Sequence, residues 1–310
     1  MTALEAVAAY LPDQRVPIED RVAQLGLKPM QAKIYRRFQG LSEIRLDPAG
    51  TLLDLLLAGV AGLDALRGRE HQVRYVLYAR TMPVTVPYPL NPLHELCRLL
   101  RLDRAVAFTV THHACATSLL AIDIAGRLLA AGGEPDALAL ILTGEKAFTR
   151  DAQIVPGTSV FGEGAAACLV RADGARDRLL AYATSTQGQF DGRLEDLPEL
   201  AERYEREYPE LLAGVMLAAA DQAGLALDEI SLVLPHNVNV ASWRRLSRQL
   251  GIPAGHVLLD NVPRTGHVFS SDSFINYVTA VQRGLLRPGD RFLVAAAGLG
   301  ATFSAMVFEH

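Results

Sequence analysis

The residues best suited to chemistry in this 310-residue chain are one cysteine and two histidines that follow apolar runs. Cys115 stands in His112-His113-Ala114-Cys115-Ala116-Thr117, between the β-branched and aromatic run Val106 to Val110 and a long apolar segment that starts at Ala116. That order predicts a strand, a short polar turn and a helix with the thiol at its mouth. A thiol there meets unpaired N–H groups and the positive end of the helix dipole, both of which favour the thiolate. Two later turns have the same placement: Pro235-His236-Asn237-Val238-Asn239 and Gly266-His267-Val268-Phe269-Ser270-Ser271-Asp272. A thiolate, a proton acceptor and donors for a developing oxyanion are what covalent acyl transfer requires. Gly298-Leu299-Gly300 adds a turn whose backbone can approach a substrate closely, because glycine lacks a Cβ; the same residues also suit a plain hairpin.

Composition sets bounds on what such a site serves. Half of the residues are hydrophobic and few are aromatic, which suits closely packed helices and sheets. A formal net charge of -4 gives no electrostatic reason to expect nucleic acid. Cys97, Cys115 and Cys168 have neither metal-ligand spacing nor an even count, which argues against a zinc site or a disulfide framework and for a reducing compartment. Ala3 to Tyr10 is apolar but short and is soon followed by Pro12, Asp13 and Arg15, so it predicts neither a signal peptide nor a membrane span. The expectation is a soluble, cytoplasmic protein without nucleic-acid or membrane partners.

The elements that must position these turns alternate. Leu4 to Tyr10 predicts a strand, Val16 to Leu25 a short helix, Thr51 to Leu66 an apolar helix, Val73 to Ala79 a strand and Pro92 to Leu100 a helix. After Cys115, Ala116 to Ala131 is apolar on nearly every side and predicts a buried helix ended by Gly132-Gly133; strands follow at Ala137 to Leu142 and Ala165 to Val170. Arg171 to Arg178 is a polar break, dividing the chain into halves 1–172 and 173–310. In the second half, Leu179 to Ser185 predicts a strand, Leu194 to Glu207 an acidic connection and Pro209 to Gly224 a striped helix. Ile230 to Leu234 and Val257 to Leu259 predict strands, Val240 to Leu250 a helix, Thr265-Gly266-His267 the opening of another helix, and Arg291 to Ala297 with Thr302 to Phe308 a terminal hairpin. Each half repeats strand, reactive turn, apolar helix and strand, which implies an α/β protein of mixed sheets covered by helices.

Several stretches together resemble the landmarks of beta-ketoacyl-ACP synthase III and its thiolase-superfamily relatives. They are Ala114-Cys115-Ala116, Phe161-Gly162-Glu163-Gly164-Ala165-Ala166-Ala167, Pro235-His236-Asn237-Val238-Asn239 and Ala297-Gly298-Leu299-Gly300-Ala301-Thr302, with Tyr10-Leu11-Pro12-Asp13 and Leu286-Arg287-Pro288-Gly289-Asp290 near the two ends. The resemblance implies a five-layered αβαβα fold, a homodimer, and an enzyme whose Cys115 is acylated by an acyl-CoA or by a phosphopantetheinyl acyl carrier protein, with no tightly bound cofactor and no metal. It implies that His236 is the family's catalytic histidine and that Asn239 ends the same motif. The oxyanion hole would combine the backbone N–H of Cys115 with that of Gly298 or Gly300. Arg150 and Arg37 would lie near the CoA nucleotide. Phe148, Phe161, Leu194 and Phe269 are expected to line the pocket from their places on loops.

One departure carries information. The family's third catalytic residue is an asparagine in a Gly-Asn-Thr-Ser turn, whereas this chain has Gly266-His267-Val268-Phe269. Cys115, His236 and His267 together resemble the elongating condensing enzymes, in which two imidazoles hold a thioester during decarboxylation of a malonyl group; decarboxylative Claisen condensation therefore stays open. A second reading uses Asp272, five residues beyond His267: a carboxylate bonded to an imidazole fixes its tautomer and raises its basicity. Cys115, His267 and Asp272 would then pass an acyl group to a hydroxyl or amine in specialised metabolism, although Asp272 also suits an ordinary charge at a helix start. A partner subunit without chemistry is the alternative of another class, and the retained Cys115 and His236 argue against it.

Overall fold

Long apolar runs cut by polar, proline- and glycine-bearing turns produce alternating elements. The first half contains β1 (Ala3–Tyr10), β2 (Gln14–Pro17), α1 (Pro29–Ile34), β3 (Glu43–Leu46), α2 (Leu52–Ala61), β4 (Val73–Ala79) and α3 (Pro92–Leu99). It continues with β5 (Val106–Val110), α4 (Thr117–Gly132), β6 (Leu138–Gly144), β7 (Ile154–Val155), β8 (Ser159–Val160) and β9 (Ala165–Arg171). The second half contains β10 (Arg178–Thr186), α5 (Pro198–Gln222), β11 (Leu232–Pro235), α6 (Val240–Leu250), α7 (Val262–Thr265), α8 (Asp272–Gln282), β12 (Arg291–Gly298) and β13 (Thr302–Glu309). The computed structural model describes residues 1–190 and 197–310.

Nine strands hydrogen-bond in the order β11-β12-β13-β10-β1-β9-β6-β4-β5. The junction in the middle is slight, because β1 and β10 meet at one register pair, Ala3 with Arg178. The five strands on one side and the four on the other are therefore two sheets that touch at an edge. Between them lie α4 and α8: Leu119, Ile122 and Leu129 of α4 and Phe274 of α8 share a core with Leu77, Ile141 and Cys168 of one sheet and Leu234, Phe292 and Met306 of the other. On the outer face of the first sheet, Leu56, Val60, Leu93 and Leu96 of α2 and α3 pack on Val76, Leu140 and Leu169. On the outer face of the second, Leu212, Met216, Trp243 and Leu246 of α5 and α6 pack on Val233, Leu293 and Phe303. Helices and sheets thus alternate in five layers, αβαβα. Strands with both faces covered need no polar alternation, which is why β6 and β9 read as unbroken apolar runs.

The middle layer explains the composition of α4. By length and composition the helix is apolar enough to cross a membrane, yet here it is a core helix between two sheets. Gly133, in the left-handed conformation at φ 68°, ends it. A fourth core, formed by Ile18, Leu25, Tyr35, Ile44, Val160 and Val262, joins the segment around α1 and β3 to α7.

Four sequence expectations are corrected. Val16 to Leu25 is not a helix: β2 pairs with β3, and a single tight turn, Ile18–Arg21, follows. The Thr51 to Leu66 helix ends at Ala61, before Gly62. Val257 to Leu259 forms only one bridge, Val257 to Val233. The stretch read as an acidic connection is, from Pro198 onward, the first half of α5, which runs 25 residues with Pro209 inside it. Proline withholds a donor from the carbonyl four residues back. Packing of Leu200, Tyr204 and Tyr208 against the second sheet outweighs that loss. Leu194 lies outside the described residues.

Candidate active site

Three segments converge at the same end of the two sheets. The first follows β5, where His112 and Ala114 take φ values of 72° and 45° and deliver Cys115 within the tight turn Ala114–Ala116 that leads into α4. The second follows β11 and carries His236 and Asn237. The third lies between α7 and α8, where Phe269 has φ 51°. A left-handed backbone at a non-glycine residue costs roughly 1–3 kcal/mol and persists only where the surroundings impose it. Three such residues therefore mark the two turns that carry Cys115 and His267.

His267 Nε2 lies 3.1 Å from Cys115 Sγ, and His267 Nδ1 is hydrogen-bonded to Asp272 Oδ2. All three residues are buried. His267 is not the opening residue of a helix; it sits in the loop before α8, and Asp272 is the first residue of that helix. A loop followed by a helix start is what lets the two side chains, five residues apart, face each other. Asp272 also accepts from the Asn237 N–H at 2.6 Å, the Val268 N–H at 2.9 Å and Asn237 Nδ2 at 3.2 Å. Behind it, Asn276 Nδ2 donates to Asn237 Oδ1 at 2.8 Å, and Asn261 Nδ2 donates to Asn276 Oδ1 at 2.7 Å. Buried polar groups are tolerated when they satisfy one another, and this line of amides fixes where the carboxylate sits.

His236 is 5.8 Å from His267, centroid to centroid, and its environment is different. Its Nε2 is 3.1 Å from the Tyr208 hydroxyl on α5, its carbonyl accepts from Trp243 Nε1 at 2.8 Å, and its Nδ1 is buried without a partner. Burial and the charge on His267 push the His236 pKa down to about 3, so the ring is neutral. Burial also opposes charge on His267, but the Cys115 sulfur and Asp272 outweigh it and push that pKa up to about 10. One imidazole is favoured as a cation between the Cys115 sulfur and the Asp272 carboxyl, and the other is kept uncharged.

A cavity of about 950 Å³ opens over these groups, bounded by Cys115, His236, His267, Phe161, Tyr204 and Tyr208 among others. Phe161 stacks on Phe269 at 4.4 Å and leans on His267 at 4.7 Å, which holds the imidazole from the side. Phe148, expected in the lining, instead faces out at 67% exposure. Asn239 stands on the cavity wall, where its Oδ1 caps α6 through the Ser242 N–H and its Nδ2 donates to the Thr158 carbonyl. Arg150 donates to the Leu25 carbonyl at 2.9 Å, and Arg37 lies over the ring of Phe38; neither borders this cavity. Gly298 is pressed against the Cys115 turn, so closely that a Cβ there would meet the His113 carbonyl oxygen at 2.1 Å, whereas Gly300 is exposed. Among the described residues, no group of three His, Cys, Asp or Glu side chains is placed to hold a metal ion.

Three residues were not found from the sequence. Tyr208 falls between the expected connection, which ends at Glu207, and the expected helix, which starts at Pro209, although Leu200, Tyr204, Tyr208 and Leu211 recur at helical spacing and carried the signal. Glu145 stands in a Gly-Glu-Lys turn but is fully buried, accepting the N–H groups of Thr81 and, at 3.2 Å, Met82. Thr81 in turn directs its hydroxyl toward Cys115 Sγ at 3.7 Å.

Comparison with known proteins agrees with the fold. Residues 220–310 match the family model described as 3-oxoacyl-[acyl-carrier-protein (ACP)] synthase III C terminal. A beta-ketoacyl-[acyl-carrier-protein] synthase III of Roseiflexus sp. (strain RS-1) is 31% identical over 158 residues, 47% of this chain and 46% of that protein; the match thus spans about half of the relative's length. Among solved structures, the acyltransferase ChlB3 superposes with a TM-score of 0.86 at 20% identity over 99% of this chain and 97% of its own. The 3-oxoacyl-[acyl-carrier-protein] synthase III of Aquifex aeolicus VF5 does so with a TM-score of 0.81 at 20% identity over the full length of both.

Proposed function

We propose that this chain is a beta-ketoacyl-ACP synthase III-like protein and that it transfers acyl groups from a thioester to a hydroxyl or amine by way of Cys115. The observation that carries the reading is His267, placed between the Cys115 sulfur and a carboxylate that three further donors hold in place. An asparagine cannot accept a proton from an incoming nucleophile, whereas an imidazole backed by a carboxylate can.

The cycle follows from the charges. The Cys115 thiolate attacks the carbonyl of an acyl-CoA or acyl-carrier thioester, and the oxyanion is met by the N–H groups of Cys115 and Gly298. Gly298 is the better placed of the two glycines because it abuts the nucleophile turn. Collapse expels the donor thiol, which leaves with the proton from His267. The acyl group now neutralises the sulfur, so His267 no longer faces a thiolate and is free to act as a base. It takes the proton of the acceptor as that oxygen or nitrogen attacks, and the second collapse restores the thiolate and the imidazolium together. Phosphopantetheine-bearing substrates, a homodimer and a cytoplasmic setting, with no tightly bound cofactor, belong to the same reading.

Incubation with a panel of acyl-CoAs followed by intact-mass measurement tests the loading step. A single acyl adduct on the wild-type protein that is absent from Cys115→Ala is the expected result. No adduct on the wild type, or the same adduct on the variant, would sink the proposal.

A further inference from the structure

Cys115, His267 and Asp272 account for proton and acyl movement, which leaves His236 and Tyr208 without a task. Decarboxylation of a malonyl thioester breaks the bond from the α-carbon to the carboxylate carbon, releases CO2 and leaves the electron pair as an enolate on the thioester oxygen. A proton taken up at the α-carbon then gives the acetyl thioester. The step needs neutral or cationic donors aimed at that oxygen. The cavity's other imidazole, His236, is not tied to the sulfur or the carboxylate, but its Nε2 is engaged at 3.1 Å by Tyr208. This holds for either tautomer: Nε2 accepts the phenol proton or spends its own on the phenol oxygen. His236 Nδ1 has no partner, so nothing on the far side of the ring locks one tautomer. His267 is committed at both nitrogens, to Cys115 and to Asp272.

Tyr208 is held firmly. Its ring meets Phe303 edge-on at 5.6 Å and Tyr204 at 5.7 Å. Burial holds its hydroxyl well above the usual phenol range, which keeps it a hydrogen-bonding phenol. It occupies the cavity from the segment of α5 that immediately precedes Pro209. We infer that Tyr208 is the specificity-determining residue of this site, masking His236 and so suppressing decarboxylation of malonyl thioesters in favour of simple acyl transfer. The inference rests on the acyl-transfer reading for its meaning but can be tested apart from it, because decarboxylation of malonyl-CoA does not require an acylated Cys115.

The test measures CO2 release from malonyl-CoA by the full chain, with Tyr208→Phe and Tyr208→Leu beside the wild type. Both variants remove the hydroxyl, and they do so with different side-chain shapes. Release roughly tenfold faster than wild type in either variant is expected, about the worth of one freed hydrogen bond. The gain should vanish when His236→Leu is added. A merely structural role for Tyr208 would lower rates and not create an activity. No gain in a folded variant, or a gain that survives His236→Leu, overturns the inference. Failure of the wild type to load an acyl group from acyl-CoA would count against the acyl-transfer reading alone.

Discussion

The turn after β11 and the turn before α8 each present a buried histidine to one cavity, and the two rings are in opposite states. His267 has the Cys115 sulfur at one nitrogen and the Asp272 carboxyl at the other and is held charged, with a pKa near 10; His236 has a phenol at one nitrogen, nothing at the other and a cation nearby, and is held neutral, with a pKa near 3. The residue type is the same, and the depth of burial is nearly so. Neighbours decide the chemistry, and several come from distant parts of the chain: Asn237, from the other turn, holds Asp272 beside His267, and Tyr208, from α5, meets His236. A histidine at a strand end therefore says little until its two nitrogens are assigned.

The sharpest way to break this comparison is to treat both rings alike. His267→Asn keeps a donor toward Asp272 but removes the base, and should slow transfer from acylated Cys115 about 10³-fold. His236→Gln keeps a polar group against Tyr208 and should slow the same step no more than about tenfold. Single-turnover transfer rates, read alongside melting temperature, compare the two; equal losses would mean that the electrostatic division between the turns has no catalytic consequence.

A smaller effect tests whether burial controls the third titrating group of the site. Burial raises Glu145 from 4.5 to about 8, against the pull of the Thr81 and Met82 N–H groups and of Arg80. A carboxyl whose pKa rises on folding contributes stability that is complete below about 4.5 and is lost as pH climbs toward about 8. Glu145→Gln retains an acceptor for both N–H groups and removes the titration. Its melting temperature should therefore fall less than that of the wild type between about pH 5 and about pH 8. Parallel melting curves for the two proteins across that range would show that Glu145 is not held neutral.

The fold and the candidate nucleophile were legible because both leave local traces. β5, the Cys115 turn and α4 announce themselves by a β-branched run, a polar break and an apolar helix, and the αβαβα layering follows from a resemblance spread over both halves. His267 and Asp272 were legible as candidates because both lie in one short turn. What escaped depends on burial and direction, which residue type alone does not encode. Glu145 looks like an exposed turn residue, but β6 carries it into the interior. Phe148 looks like a pocket residue, but its loop turns it to solvent. Tyr208 was hidden by the acidic composition around it and by Pro209, two local signals against a helix that tertiary packing overrides.

The central claim is that the acyl group on Cys115 goes to a hydroxyl or amine with His267 and Asp272 as its proton path. The most direct measurement is a chase: wild-type protein is acylated from acyl-CoA, freed of excess donor and mixed with alcohol and amine acceptors, while intact mass, product and CO2 are followed together. The account predicts loss of the acyl mass with stoichiometric ester or amide and no CO2. An acyl-enzyme that ignores these acceptors and discharges only when malonyl-CoA is added, with release of CO2, would contradict it.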